Sequence, residues 1–260
     1  VKTELVETSY AQRRETRTVF SVAIEVFRCA EAIEFLSGRL ASRRPTRLAF
    51  ANANLLNLAY GDAELSRLLK SFVILNDGAG VNLASRVLYG SPFPENLNGT
   101  DFCPAFLETC PVSLRVYLLG GSPSIISRAA DVVALRWPRH TVVGAHHGYF
   151  SPSEFVPIKK SIAEACPDIV LVAMGNGLQE KVVEALVPSC APCACGVGAW
   201  FDFLAGKVSR APRLLRAGRM EWIYRLFLEP RRLWRRYLVG NPVFLWRVIR
   251  QRFGNSGVDL

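Results

Sequence analysis

One unit recurs along this chain: a short apolar run ends in glycine or asparagine, and residues with helical periodicity follow. RLAFANAN (47–54), FVILNDGAG (72–80), RVYLLGGSPS (115–124), TVVGAHHG (141–148), DIVLVAMGNG (168–177) and CACGVGAW (193–200) read as strands closing in polar or glycine turns. Apolar spacing of three and four predicts helices over 30–42, 61–70, 101–109, 124–136, 153–165 and 179–187. VFSVAIEVF (19–27) alternates as a further, entering strand. A strand that is apolar on both faces needs helices above and below it, and a helix between two strands makes them parallel. The alternation therefore implies an α/β fold: a doubly wound, mostly parallel Rossmann-like sheet.

Ligands of such sheets bind beyond the carboxyl ends of the strands. The polar and glycine residues that fall there are Asn52, Asn54, Asn76, Asp77, Gly120, Gly121, Ser122, His146, His147, Asn176 and Gln179. After Gly206 the pattern changes. EWIYRLFLEPRRLWRRYLVGNPVFLWRVIRQR is helical, rich in arginine and interrupted by Pro230 and Pro242. Each proline suits the first turn of a short helix, and Gly240 reads as the end of the first helix. The expected organisation is an N-terminal extension (1–18), an α/β catalytic domain (19–205), a C-terminal basic, amphipathic appendage (206–252) and a tail (253–260).

Charge follows the same division. Residues 1–205 hold 19 basic and 19 acidic side chains, whereas 206–252 hold 13 basic and 2 acidic. A neutral body with a cationic extension points to a polyanionic partner: nucleic acid, anionic lipid or phosphate. The first eighteen residues are mostly polar and show no secretory h-region, and no apolar run reaches the roughly 18 residues that span a bilayer. Seven cysteines, an odd number, suit reduced thiols. CAPCAC (190–195) offers half of a zinc site or, more simply, small apolar fillers entering a buried strand.

Four turns carry candidate chemistry. Asp77 follows an apolar strand directly. A carboxylate there suits a general base toward a hydroxyl, and equally an N-cap for a helix over 79–89. LLGGSPS places Gly120, Gly121 and Ser122 at a strand-to-helix turn, where backbone N–H groups suit a diphosphate or where a tight turn simply needs glycine. Ser122 is also the expected N-cap ahead of Pro123. GNGLQE (175–180) offers Gln179 as a sugar or ribose partner, or an exposed Gln–Glu pair that suits the helix dipole. HHGYF (146–150) offers an imidazole or an aromatic ring. The dinucleotide and P-loop fingerprints are absent, so the nicotinamide and nucleoside-triphosphatase readings have no support.

Taken in order, NANLL (52–56), NDGAGV (76–81), GTDF (99–102), VYLLGG (116–121), HHGYF (146–150), PDIVLVAMGNGLQEK (167–181), GVGAWFDFLAGKVSRAP (196–212) and EWIYRLFLEPRRLWRRYL (221–238) resemble the WecG/TagA/CpsF family of bacterial glycosyltransferases. The resemblance runs from about residue 20 to 252. It implies an inverting, metal-independent transfer of a hexosyl or N-acetylhexosaminyl group from a UDP-sugar to a polyprenyl-diphosphate-linked saccharide. No cofactor is implied. The implied place is the cytoplasmic face of the bacterial inner membrane, peripherally bound, in cell-surface polysaccharide synthesis.

By the same resemblance Asp77 is the base, and Gln179 falls on a glutamine implicated in the active site. Donor contacts are expected from Asn52, Asn76, Gly78, Gly120, Gly121, Ser122, Gly175 and Glu180. Contacts to the acceptor and its lipid diphosphate are expected from Thr100, Asp101, Arg210, Arg213 and Arg216. Membrane contact is expected from Trp222, Arg231, Arg232, Trp234, Arg235, Arg236, Tyr237 and Trp246, with Leu233, Leu238, Phe244 and Ile249 as the apolar face. The expected partners are thus a UDP-sugar, the lipid-linked acceptor and an anionic membrane, with a homo-oligomer open and nucleic acid not expected.

The sequence departs from the family pattern at three places. Gly177–Leu178 stand where Pro-Lys is common, Asn96 stands where an arginine is common, and the 47–51 strand lacks a threonine. The rivals are a non-catalytic UDP-sugar-binding protein and a nucleic-acid-binding protein that uses the basic tail.

Overall fold

The computed structural model describes residues 15–209, 212 and 221–254. Six strands form one parallel sheet: β3 (Thr46–Ala51), β4 (Val73–Asn76), β5 (Arg115–Gly120), β6 (Thr141–His146), β7 (Ile169–Ala173) and β8 (Cys193–Gly196). They lie in the order β4-β3-β8-β7-β5-β6. A separate antiparallel hairpin precedes them, β1 (Thr16–Val19) with β2 (Val22–Glu25). The 19–27 run was expected to enter the sheet as a single strand. It turns instead at Phe20–Ser21, where Phe20 adopts a left-handed φ of 59°.

The helices divide between two apolar cores, one on each face of the sheet. The first face carries α2 (Ala53–Gly61), α3 (Ala63–Leu69), α4 (Ala79–Tyr89), α7 (Pro152–Glu164) and α8 (Leu178–Leu186). The second carries α1 (Cys29–Ala41), α5 (Gly99–Thr109), α6 (Pro123–Arg136) and the short α9 (Trp200–Leu204). Moves toward the β4 edge, β3 to β4 and β6 to β7 to β8, cross the first face. The opposite move, β5 to β6, crosses the second. A fixed right-handed crossover demands that division.

Local chemistry sets the helix starts. Asn52 caps α2 by accepting from Leu55 N–H at 3.0 Å, and Asp62 caps α3 through the N–H groups of Glu64 and Leu65. Ser122 caps α6 with Pro123 in its first turn, as expected. α2 was not foreseen, because NAN read as the polar end of a strand. Its Leu55, Leu56 and Ala59 are buried against the sheet.

The hairpin is pinned by a buried cation. Arg17 donates to Ser85 Oγ and to the carbonyls of Ser91 and Pro92, with its guanidinium near the rings of Tyr89 and Phe93. Residues 16–18 are therefore strand, not loose extension; residues 1–14 lie outside the described part.

The C-terminal region contains α10 (Glu221–Leu228), α11 (Pro230–Trp234), a π-helical segment (Arg235–Gly240) and α12 (Asn241–Gly254). Pro230 opens α11 as expected, but Gly240 does not end a helix. Asn241 remains right-handed helical at φ −67°, ψ −46°, so the chain runs on into α12. Pro242 lacks an N–H and its ring crowds the preceding turn; widening that turn to π-geometry accommodates it. Phe244 (0% exposed) and Val248 join the first core between α2 and α4, with the Phe244 ring 5.7 Å from that of Phe20. Burial of such a side chain contributes about 1.5–3 kcal/mol. Phe244 and Leu233, expected to face lipid, are instead buried.

Candidate active site

The first cluster forms at the carboxyl ends of β4 and β3. Asp77 follows β4, and its N–H is held by the Ala51 carbonyl at 2.8 Å. Asn52 Nδ2 donates to Asp77 Oδ2 at 3.3 Å while its Oδ1 caps α2, so one amide serves both the helix and the carboxylate. The N-cap position of α4 is Gly78, which has no side chain to offer, so Asp77 does not occupy the capping position. Gly78 has φ +92°, and a Cβ there would meet nothing within 4 Å. Asp77 is half-buried, held by Asn52 and still partly open to solvent. That combination suits a positioned base, which must be both fixed and reachable. On the other side of the turn Asn96 Oδ1 accepts from Gly78 N–H at 2.6 Å. The sequence flagged Asn96 only as a departure from a family pattern; here it clamps the peptide that follows the carboxylate.

Asn76 belongs to the support rather than to the cleft. It is fully buried, and its Nδ2 donates to the Glu95 carbonyl at 2.8 Å. Its own carbonyl accepts from Leu97 N–H, so it holds the 95–97 loop that carries Asn96. Thr100 and Asp101 begin α5, where Asn98 caps the helix and also donates to Asp101 Oδ2 at 2.7 Å. They border a recess of about 180 Å³ with Pro104, Arg136, Trp200, Phe203 and Leu204, residues of the second face.

The second cluster lies at the ends of β7 and β8. Gly175, Gly177 and Gly198 all have positive φ. Gln179 and Glu180, which the sequence offers as an exposed pair in the first turn of a helix, are 2% and 0% exposed. Gln179 Nε2 donates to Glu180 Oε1 at 2.8 Å, and Gln179 Oε1 accepts from Gly198 N–H at 3.2 Å. Glu180 Oε2 accepts from Gly177 N–H. Burial pushes the Glu180 carboxyl up, and its bonds from Gln179, Gly177 and Asn176 oppose that. Asn54 Nδ2 donates to Asn176 Oδ1 at 3.2 Å, joining this cluster to the start of α2.

The third set stands apart. β5 is four strand positions from β4, about 19 Å at the usual spacing. Gly120, Gly121 and Ser122 therefore do not share a small pocket with Asp77. Their glycines answer packing: a Cβ on Gly120 would lie 2.2 Å from the Ala173 carbonyl oxygen. The Gly121 N–H, read as a phosphate donor, is engaged by that same carbonyl at 3.1 Å. HHGYF lies with this set, its Gly148 N–H on the Gly121 carbonyl and its His146 Nδ1 on the His147 carbonyl.

The expected lipid-diphosphate residues Arg210, Arg213 and Arg216 lie outside the described residues, as does the side chain of Arg232. Of the membrane set, Trp222, Trp234 and Trp246 are exposed, along with Leu238 and Ile249. Cations lie over three of the aromatic rings: Arg235 over Trp234, Arg236 over Tyr237 and Arg250 over Trp246, at 5.3, 5.5 and 5.7 Å. Arg231 is exposed in α11. Among the described residues no helix is long and apolar enough to cross a membrane, and no group of three or more His, Cys, Asp or Glu could hold a metal ion. Cys190, Cys193 and Cys195 are buried, and burial pushes the Cys193 thiol up to about 12. A groove of about 680 Å³ between the hairpin, the end of α2 and α12 lies away from Asp77. Its Arg247 is engaged by Asn57 and stacked on Tyr60.

Residues 17–257 match the family model described as "Glycosyl transferase WecG/TagA/CpsF family". Two curated relatives carry the name N-acetylglucosaminyldiphosphoundecaprenol N-acetyl-beta-D-mannosaminyltransferase. The chain is 33% identical to the Bacillus spizizenii protein over 181 residues, 68% of either chain. It is 33% identical to the Bacillus subtilis protein over 188 residues, 71% of either chain. An α/β sheet with a held, reachable carboxylate at its carboxyl edge, together with a family match over nearly the whole length, places this chain in the WecG/TagA/CpsF family of glycosyltransferases.

Proposed function

We propose that the protein transfers a hexosyl or N-acetylhexosaminyl group from a UDP-sugar to a polyprenyl-diphosphate-linked saccharide, with inversion. The observation that carries this reading is Asp77: a half-buried carboxylate fixed by Asn52 at the carboxyl end of β4, in a chain of this family. Asp77 accepts the proton of the acceptor hydroxyl as that oxygen attacks the anomeric carbon, and UDP departs from the opposite face. One displacement converts an α-linked donor into a β-linked product. A base of this kind contributes typically about 10²–10⁴ in rate.

The names of the two relatives favour N-acetylmannosamine as the sugar and an N-acetylglucosaminyl-diphosphate lipid as the acceptor. The sequence contains no D-x-D motif of the sort that holds a metal-nucleotide complex, so the leaving diphosphate requires other positive charge. Helix N-termini and arginines at the carboxyl edge of the sheet would supply it, while Arg210, Arg213 and Arg216 are assigned to the lipid diphosphate of the acceptor. The exposed tryptophans and their stacked arginines suit an anionic membrane surface, where each basic residue adds about 1 kcal/mol. The site of action is then the cytoplasmic face of the inner membrane.

A donor screen tests the reading. The full chain is incubated with a short-chain polyprenyl-diphosphate saccharide and a panel of UDP-sugars, and products are read by mass spectrometry. One donor should yield an acceptor heavier by one sugar residue. UDP binding without transfer from any donor would leave only a non-catalytic binding protein.

A further inference from the structure

We infer that Gln179 and Glu180 form a buried positioning pair, which aligns two turns of the cleft without touching the substrate. The inference rests on the transferase reading above and deepens it. Both side chains sit at the start of α8, below the surface rather than in the cleft. The polarity of the pair is determined by its neighbours. Gly198 N–H can only donate, so it requires the Gln179 oxygen, which turns the amide nitrogen toward Glu180. Gly177 N–H can likewise only donate, so it takes the other carboxylate oxygen. The result is an unbroken run: Gly198 N–H to Gln179, Gln179 to Glu180, and Gly177 N–H to Glu180. It locks the β8–α9 turn to the β7–α8 turn. Gly196 completes the fit, because a Cβ there would lie 2.9 Å from Gln179 Nε2. Asn176 bonds Glu180 and accepts from Asn54, so the lock continues into α2, whose cap Asn52 holds Asp77.

Exchanging the two residues tests this. In Glu180→Gln a nitrogen faces either the Gln179 nitrogen or the Gly177 N–H. Flipping Gln179 merely moves the conflict to Gly198, so no arrangement satisfies every donor. In the double variant Q179E/E180Q the carboxylate, now at position 179, accepts from Gly198 N–H and from the amide nitrogen introduced at position 180. The oxygen of that same amide accepts from Gly177 N–H. All three bonds of the run return with the charge displaced by one residue. Wild type, E180Q and the double variant are compared for kcat, KM and melting temperature. E180Q should lose about 10- to 100-fold in kcat, the scale of a misplaced site, with KM for the donor little changed. The double variant should recover most of that loss. A folded double variant as impaired as E180Q would mean that Gln179 meets the substrate, which overturns the inference; so would wild-type turnover in E180Q.

A second readout is independent of turnover. Hydrogen bonds to an ionised acceptor are stronger than those to a neutral one. With ¹⁵N-glycine labelling, the Gly177 amide should be strongly deshielded in the wild type and lose that shift in E180Q. In the double variant the deshielded amide should be Gly198. Ordinary shifts at Gly177 in the wild type would overturn the inference even if the protein proved inactive on every donor. Inactivity of the wild type would instead count against the transferase reading.

Discussion

Replacing Asn52 with aspartate separates two tasks that the residue performs together. Asn52 Oδ1 caps α2, and Asn52 Nδ2 holds the Asp77 carboxylate at 3.3 Å. Aspartate caps a helix as well as asparagine does, so N52D should keep the stability that N52A loses, about 1 kcal/mol. The other task reverses in sign, because a donor becomes a second carboxylate. Two unit charges 3.3 Å apart repel by about 5 kcal/mol at an effective dielectric of ~20, before solvent screening. Even a third of that exceeds the 1.36 kcal/mol of one pKa unit. The acid limb of the pH–kcat profile should therefore move up by about one unit or more. The assay is sugar transfer from pH 5 to 9, run beside urea unfolding of wild type, N52A and N52D. A folded N52D with wild-type kcat and an unmoved acid limb would refute the coupling of Asn52 to the base.

Four further outcomes are expected. Gly120→Ala should destabilise the fold by at least about 2 kcal/mol in urea unfolding, because its Cβ would lie 2.2 Å from a carbonyl oxygen at φ +133°. Gly78→Ala meets no atom and should cost about 1–3 kcal/mol of backbone strain, because φ 92°, ψ 168° is a conformation open essentially to glycine alone. His140 is buried, with Nδ1 accepting from Leu114 N–H and Nε2–H facing the Leu107 carbonyl, and burial lowers its pKa. The unfolded chain therefore binds the extra proton first, so this contribution is present above the unfolded value of about 6.5 and is lost as pH falls below it. In His140→Gln that part of the fall in urea midpoint should be absent. Replacing Arg235, Arg236 and Arg250 with glutamine should weaken sedimentation with anionic vesicles by about 3 kcal/mol, roughly 150-fold, and leave neutral vesicles unaffected. Substitution is the right perturbation there, since deleting α12 would remove Phe244 from the core.

The sheet was legible because its strands are short apolar runs that end in turns, a pattern that burial on both faces imposes on the inner strands; β6, at the edge, has the apolar run but no buried residue. Asp77 and its glycine were legible for the same reason: strand ends mark the ligand edge. Strand order was not legible. Nothing in LLGGSPS reveals that β7 and β8 stand between it and β3, so its distance from Asp77 could not be read from the sequence. Polar burial was equally hidden. Gln179 and Glu180 look like surface residues unless the N–H groups of Gly177 and Gly198 are known to be waiting for them. Helical periodicity identified an amphipathic C-terminal region, but which apolar side chains meet the body depended on the groove between α2 and α4. Phe244 fills that groove while Trp246, two residues on, is 58% exposed.

The central claim is that Asp77 takes the proton. Once the donor is known, single-turnover transfer by Asp77→Asn measures it most directly, with UDP affinity determined on the same preparation. The account predicts a rate lower by about 10²–10⁴ with UDP affinity within about twofold of wild type. Wild-type transfer by the folded variant would contradict it.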